Sequence, residues 1–273
     1  MTENATLSIA VVSGKGGVGK TNIALNLAYA LYRAKQRVLL MDCDLGLANL
    51  DVLLGIAPKV SIEQVMLGEA NFADAVVGIE PGGFSLLPAS SGVEALEGAA
   101  SSLRSSFLKQ LNAVARQYDY LILDVGAGIT EAVQAFASKA AMRIVIVTPE
   151  PTSITDAYAL IKVLLTQQGI RDFHILVNQA ESAREEKAAF TRLAAACDKF
   201  LGIKPGLLGG IRYDPAMIQA VRRQEPLLKS SPASPAGKDL VAAAVKLHKL
   251  KGTIAADPDE PLHTADEQPA AHG

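Results

Sequence analysis

Short runs of consecutive apolar residues recur along the chain, separated by stretches in which apolar residues return every three or four positions. The runs are Leu7–Val12, Arg37–Asp42, Phe84–Leu87, Tyr120–Asp124, Arg143–Thr148 and Phe173–Asn178, with Leu207–Ile211 as a weaker one. Their unbroken apolarity predicts strands covered on both faces, which is the signature of a parallel sheet. The intervening stripes are helical: Ile23, Leu27, Ala30 and Leu31; Phe107, Leu111 and Val114; Ile154, Tyr158, Ile161 and Leu165. Strand and helix in alternation predict an α/β fold: a single doubly wound, mostly parallel sheet with helices on both faces. Ligands are expected at the carboxyl ends of its strands.

The alternation breaks at Ser230-Ser231-Pro232-Ala233-Ser234-Pro235. A last helix over Lys238–Lys251 is expected to pack on the sheet through Leu240, Val241, Ala244, Val245 and Leu247. Its Lys246, Lys249 and Lys251 lie near Val245, Leu247 and Leu250. That fits either a core helix with a solvated lysine face or a helix lying on anionic lipid. From Thr253 the chain carries Pro, Asp and Glu but no Lys or Arg, and has little to bury. The division predicted is one domain over 1–252 and a disordered acidic tail over 253–273.

Composition agrees with one large domain: 273 residues, 49% hydrophobic and 20% charged. A formal net charge of −2 supplies no general attraction to nucleic acid. Cys43 and Cys197 are far apart, and His174, His248, His263 and His272 do not cluster, so no metal-ligand spacing is present. Met1–Thr6 shows no secretory pattern and no apolar run approaches a bilayer-spanning length, so a cytoplasmic protein is expected.

The chemistry is concentrated just after the first strand. Gly14-Lys15-Gly16-Gly17-Val18-Gly19-Lys20-Thr21 fits G-x-x-x-x-G-K-[ST] in the context that pattern needs, between a strand and a helix. Glycines allow the backbone to wrap a phosphate with its N–H groups turned inward, and the helix start adds the positive end of its dipole. Lys20 is expected on the β- and γ-phosphates of a nucleotide and Thr21 on Mg²⁺. Two further acidic sites end apolar strands. Asp124, followed by Val125-Gly126-Ala127-Gly128, is placed to support Mg²⁺ while the glycines admit the γ-phosphate. In Asp42-Cys43-Asp44, alternation points Asp42 and Asp44 the same way, with Asp44 as the residue that polarises the attacking water. Turn capping is the plainer role for either carboxylate.

With its additional Lys15, this loop resembles the deviant phosphate loop of the MinD/ParA ATPases. Asp42 through Asp51 resembles the first switch of that family. Pro149–Lys162, Tyr213-Asp214-Pro215 and Ala220–Gln224 resemble its branch of flagellar-number regulators, and the likeness runs from about Ser8 to Lys251. The resemblance implies an ATPase that uses ATP/ADP and Mg²⁺ and closes as an ATP-bound homodimer, Lys15 crossing to the partner's phosphate. Residues Gly14, Lys15, Gly16, Gly17, Val18, Gly19, Lys20, Thr21 and Asn22 would cradle the nucleotide. Asn178 would hydrogen-bond adenine, while Asp214 and Pro215 would flank the base. Thr21, Asp44 and Asp124 would form the metal side, with Lys15, Lys20 and Asp44 carrying hydrolysis. Flagellar regulators or assembly proteins are the partners implied, with transient inner-membrane contact and no DNA. A ParA-like partition role, through Arg222, Arg223 and Lys229, and an ATP-binding switch with little turnover are the alternatives. Two departures stand out. Close relatives have Thr where this chain has Val125, a substitution expected to alter phosphate sensing. The glutamine-containing activator helix found at the start of some relatives has no counterpart in the residues before Leu7.

Overall fold

The structure is a computed structural model and describes residues 5–44, 50–66, 68–88, 101–254 and 260–263. Its centre is an eight-stranded sheet in the order β3-β4-β2-β5-β1-β6-β7-β8. The strands are β1 (Leu7–Ser13), β2 (Val38–Cys43), β3 (Val77–Glu80), β4 (Phe84–Leu87), β5 (Tyr120–Ala127), β6 (Met142–Val147), β7 (His174–Ala180) and β8 (Gly206–Arg212). All neighbours run parallel except β3, which pairs antiparallel with β4 at one edge. β3 has no counterpart among the expected strands. It is four residues long and only half-buried, so it carries neither an apolar run nor a clean alternation.

Between the strands lie α1 (Lys20–Arg33), α2 (Leu50–Leu54), α3 (Ile62–Met66), α4 (Ser101–Ala115), α5 (Glu131–Lys139), α6 (Pro151–Gln168), α7 (Ala183–Leu201), α8 (Pro215–Arg222), α9 (Leu227–Ser230) and α10 (Pro235–Lys251). Alternate strand residues feed two cores. Ala10, Val12, Leu121, Leu123 and Val125 pack with α4, α5, α6 and α7 on one face. Ile9, Val11, Ile122 and Ile144 pack with α1 and α10 on the other. Both cysteines are buried and free. Burial and the neighbouring carboxylate of Asp42 push the Cys43 thiol well above its ordinary value, which removes it as a nucleophile.

Two expectations for the end of the chain are corrected. In α10 the buried stripe is Ala236, Leu240, Ala243, Ala244 and Leu247, whereas Val241 and Val245 are exposed. Small alanines carry this contact because α10 packs closely on α1 and β8. Nor is the whole of 253–273 a loose tail: Leu262 is completely buried, in the core on the face of the sheet away from α10. No helix among the described residues is long and apolar enough to cross a membrane.

Candidate functional site

β1 is flanked by β5 and β6, so the turns following β1, β2 and β5 gather at one end of the sheet. The phosphate loop is the first of these turns. Gly17 (φ 80°) and Gly19 (φ 84°) occupy the left-handed region that glycine alone enters freely, and Gly19 is the residue from which α1 starts. Gly19 has no side chain with which to cap α1, which suits the first N–H groups of the helix to a ligand. Space around the loop is uneven. Among the described residues, Gly16 and Gly17 have nothing within 4 Å of an added Cβ, while one on Gly19 would lie 2.5 Å from Asn178 Nδ2. Ser13 at the end of β1 braces the turn, its Oγ donating to Lys15 O at 3.0 Å. Asn22, in the first turn of α1, accepts from Asn26 Nδ2 through its carbonyl.

Lys20 and Asp124 are both buried, and Lys20 Nζ lies 2.6 Å from Asp124 Oδ1. Burial raises the Asp124 carboxyl above its usual value, and the Lys20 ammonium and the Thr21 hydroxyl offset this only in part. The other oxygen, Asp124 Oδ2, is buried without a hydrogen-bond partner among the described residues. A buried, unsatisfied carboxylate oxygen beside a threonine hydroxyl suits a hard cation that takes one or two protein ligands and completes its shell with phosphate and water. No group of three or more His, Cys, Asp or Glu side chains able to hold a metal occurs among the described residues. The donor set therefore suits Mg²⁺ bound together with a nucleotide rather than a self-sufficient protein cage.

The two carboxylates at the end of β2 have separate tasks. Asp42, buried and level with Asp124 in the sheet, takes the backbone N–H of Asp44 on Oδ1 (3.0 Å) and that of Leu50 on Oδ2 (3.2 Å). It shapes the turn. Asp44 is half-buried and faces the last residues of β5, its Oδ1 standing 3.6 Å from a Cβ built on Gly126. The rest of this predicted switch, Leu45-Gly46-Leu47-Ala48-Asn49, lies outside the described residues. Val125 is completely buried, with its side chain in the core beneath α4 and α5. Valine at position 125, where a change in phosphate sensing is expected, thus sends its side chain into this core.

Lys15 is half-buried, and its Nζ binds Glu150 Oε2 at 2.7 Å and Thr152 Oγ1 at 3.2 Å, both at the start of α6. Asn178, at the end of β7, donates from Nδ2 to Val18 O at 2.8 Å and so grips the loop itself. Its amide oxygen is the atom left to accept from a base amine. Asp214 is turned toward two helix starts: Oδ1 accepts from Ala216 N of α8 and Oδ2 from Ala236 N of α10. Burial opposes its ionisation, but these N–H groups outweigh that and hold the carboxyl below its ordinary value. What the 213–215 segment presents outward is the exposed Tyr213 and Pro215.

The sequence reading overlooked Glu150 and Thr152 as partners of Lys15, although both stand in a segment it had singled out. It also overlooked Arg143. That guanidinium, buried at the start of β6, donates to the carbonyls of Ala137, Ser138, Ala140 and Ala141 and closes the C-terminal end of α5. Burial brings its pKa down to about 10, which leaves it charged at neutral pH. An arginine inside an apolar strand was the available signal.

The family model of the CobQ/CobB/MinD/ParA nucleotide binding domain matches residues 9–227. This chain belongs to the MinD/ParA family. Antiactivator FleN of Pseudomonas aeruginosa is 39% identical over 239 residues, covering 88% of this chain and 85% of that protein. Flagellum site-determining protein YlxH of Helicobacter pylori is 35% identical over 228 residues, covering 83% and 76%. Among solved structures, the cell division ATPase MinD of Pyrococcus furiosus superposes with a TM-score of 0.74 at 26% identity, covering 89% of this chain and 99% of that one. MinD of Pyrococcus horikoshii, in complex with Mg-ADP, gives 0.73 at 26% identity, covering 91% and 98%. In this MinD/ParA-family chain, Lys20, Thr21 and Asp124 sit together at the carboxyl end of the sheet, the position at which doubly wound folds bind nucleotide.

Proposed function

We propose that this protein is a Mg²⁺-dependent ATPase that dimerises on ATP and acts as a switch in the control of flagellar number or placement. The observation that carries the nucleotide reading is the Lys20–Asp124 pair under the glycine loop, with Asp124 Oδ2 unsatisfied beside Thr21. The flagellar assignment is supported by the likeness to FleN and YlxH over most of the chain. Lys20 would leave Asp124 for the β- and γ-phosphates, while residues 14–22 wrap them with backbone N–H groups. Mg²⁺, held by Thr21 and Asp124 with Asp44 close by, would neutralise phosphate charge. Asn178 would accept from the adenine amine while still gripping Val18, and Tyr213 to Pro215 would flank the base. Asp44, set against Gly126, would hold the attacking water in line; in phosphoryl transfer such positioning is most of the catalysis. Lys15 would exchange Glu150 and Thr152 for the partner's phosphate, acting in trans as an arginine finger does. Partners would be flagellar regulatory or assembly proteins.

The test is light scattering and phosphate release with ATP and Mg²⁺. Wild type is expected to become dimeric and hydrolyse ATP. Lys15→Ala is expected to keep nucleotide binding and lose hydrolysis by about 10³-fold, the low end of the effect of an arginine finger. Asp44→Ala is expected to bind ATP and stay dimeric without turnover. A wild-type chain that remains monomeric with ATP defeats the crossing-lysine mechanism, and an Asp44→Ala enzyme of full activity removes the role given to that carboxylate.

A further inference from the structure

Ser8 is the second residue of β1, whose other end leads into the phosphate loop, so Ser8 marks the end of the sheet opposite the nucleotide site. There, residues 260–263 lie in a slot formed by β1, α4 and the end of α5. Every main-chain polar group of the central residue is read. Asn112 donates from Nδ2 to Leu262 O at 2.9 Å and accepts from Leu262 N at 2.8 Å. The Ser8 hydroxyl donates to Pro261 O and accepts from Ala141 N, while His263 N donates to Lys139 O at 3.0 Å. The Leu262 side chain is completely buried among residues of α4 and its core.

Ser8 also holds Ala141 N, whereas both hydrogen bonds of the Asn112 side chain among the described residues go to Leu262. Asn112 interrupts the apolar face of α4 formed by Phe107, Leu108, Leu111 and Ala115, and it is 2% exposed. Without residue 262 its amide would be buried with neither donor nor acceptor met, a cost that buried polar groups rarely bear. Ser8 is likewise a buried hydroxyl in an apolar strand. Main-chain hydrogen bonds that give affinity, combined with an apolar side-chain pocket that gives specificity, are a means of peptide recognition. Pro261 assists by restricting the free segment before it docks.

We propose that this slot is a peptide-binding site for a Pro-Leu segment, filled in cis by residues 260–263 as a releasable clasp. It is separate from the nucleotide site and does not depend on the function assigned to that site. The contact is short, with Pro261 and Leu262 as its buried residues, which places its release among local openings rather than global unfolding. The occupant is this chain's own segment, and a free peptide of the same chemistry competes with it.

The experiment uses the full chain carrying Leu262→Asp, because a carboxylate does not enter an apolar pocket. The probe is a fluorescein-labelled peptide spanning residues 259–265, followed by anisotropy. Saturable binding at least tenfold tighter to the Leu262→Asp chain than to wild type is expected. Adding Asn112→Ala to that chain is expected to weaken binding at least tenfold, and a probe with Asp in place of its leucine is expected not to bind. No binding by a Leu262→Asp chain that melts cooperatively overturns the proposal, as does equal binding by both chains. A wild-type chain that dimerises without nucleotide by exchanging this segment overturns the assignment in cis. If Leu262→Asp does not fold, hydrogen exchange on wild type decides. The Leu262 amide is expected to exchange at least 100-fold faster than that of Ala10 in β1, and equal protection would make the segment a fixed part of the fold.

Discussion

Lys15 Nζ and Glu150 Oε2 are 2.7 Å apart, yet their side chains remain 33% and 62% exposed. A lysine from the phosphate loop is therefore held toward α6 by a pair that water reaches freely. Exposed pairs contribute about 0.2–1 kcal/mol and weaken with salt. The contact directs Lys15 without fastening it. Glu150→Ala is expected to shift the thermal midpoint by no more than about 2–4 °C, the change that roughly 1 kcal/mol produces in a domain of this size. A larger loss in calorimetry means that Glu150 supports the fold in a way this pair does not explain.

Lys20 and Asp124 behave oppositely because both are buried. Lys20→Ala strands a carboxylate, and breaking a buried pair costs about 3–5 kcal/mol. The deficit depends on pH. Burial raises the folded Asp124 carboxyl above its unfolded value of about 3.9. A group raised in this way favours folding only when protonated, so its contribution is present below the unfolded value and lost as pH rises through the folded one. Urea unfolding is expected to show a larger deficit for Lys20→Ala at pH 8 than at pH 5, and an equal deficit at both contradicts the account. The same variant is expected to lose ATP binding in calorimetry.

Asp214 joins the starts of α8 and α10 through one carboxylate. Asp214→Ala is expected to cost about 1–2 kcal/mol, as loss of a helix cap does. The carboxyls of Asp214, Asp119 and Asp239 all lie below their ordinary values; burial works against each, and hydrogen bonds outweigh it, from backbone N–H groups at Asp214 and from the arginines Arg37 and Arg212 at the other two. Their stabilisation is complete above the unfolded value of about 3.9 and is lost as pH falls through the folded values. Acid unfolding of the wild type is therefore expected below about pH 4, with a shallower acid limb for Asp214→Asn. An unchanged limb by circular dichroism argues against the linkage.

Val125→Thr introduces the residue that the family resemblance leads one to expect, at a position whose side chain is in the core. A buried hydroxyl there is expected to cost about 1–3 kcal/mol. Phosphate release is expected to change little, because the hydroxyl points away from the loop. A several-fold gain in hydrolysis would show that residue 125 reaches the phosphate after all.

What could be read beforehand was set by repetition and by motif. β1, β2 and β5 to β7 announce themselves as unbroken apolar runs, and 14–21 is a pattern with few physical alternatives. β3 is too short and too exposed to have a period. The face of α10 was misjudged because Val241 and Val245 outweigh the alanines that make the contact. Asp42 and Asp44 are two residues apart and look alike in sequence. Only the backbone path that brings Leu50 N to Asp42 separates the turn-former from the residue that faces Gly126. Leu262 is a lone leucine among polar residues, and its place depends on Asn112, which is 150 positions away.

Gly14 is the most tightly enclosed of the loop's glycines among the described residues: a Cβ there would lie 2.2 Å from the carbonyl carbon and oxygen of Asp156 in α6. The two main chains touch with nothing between them. Any rearrangement that begins at the glycines must carry α6 with it, and with α6 the carboxylate that steers Lys15. The turn and the helix are in effect one moving part, joined by the absence of a side chain.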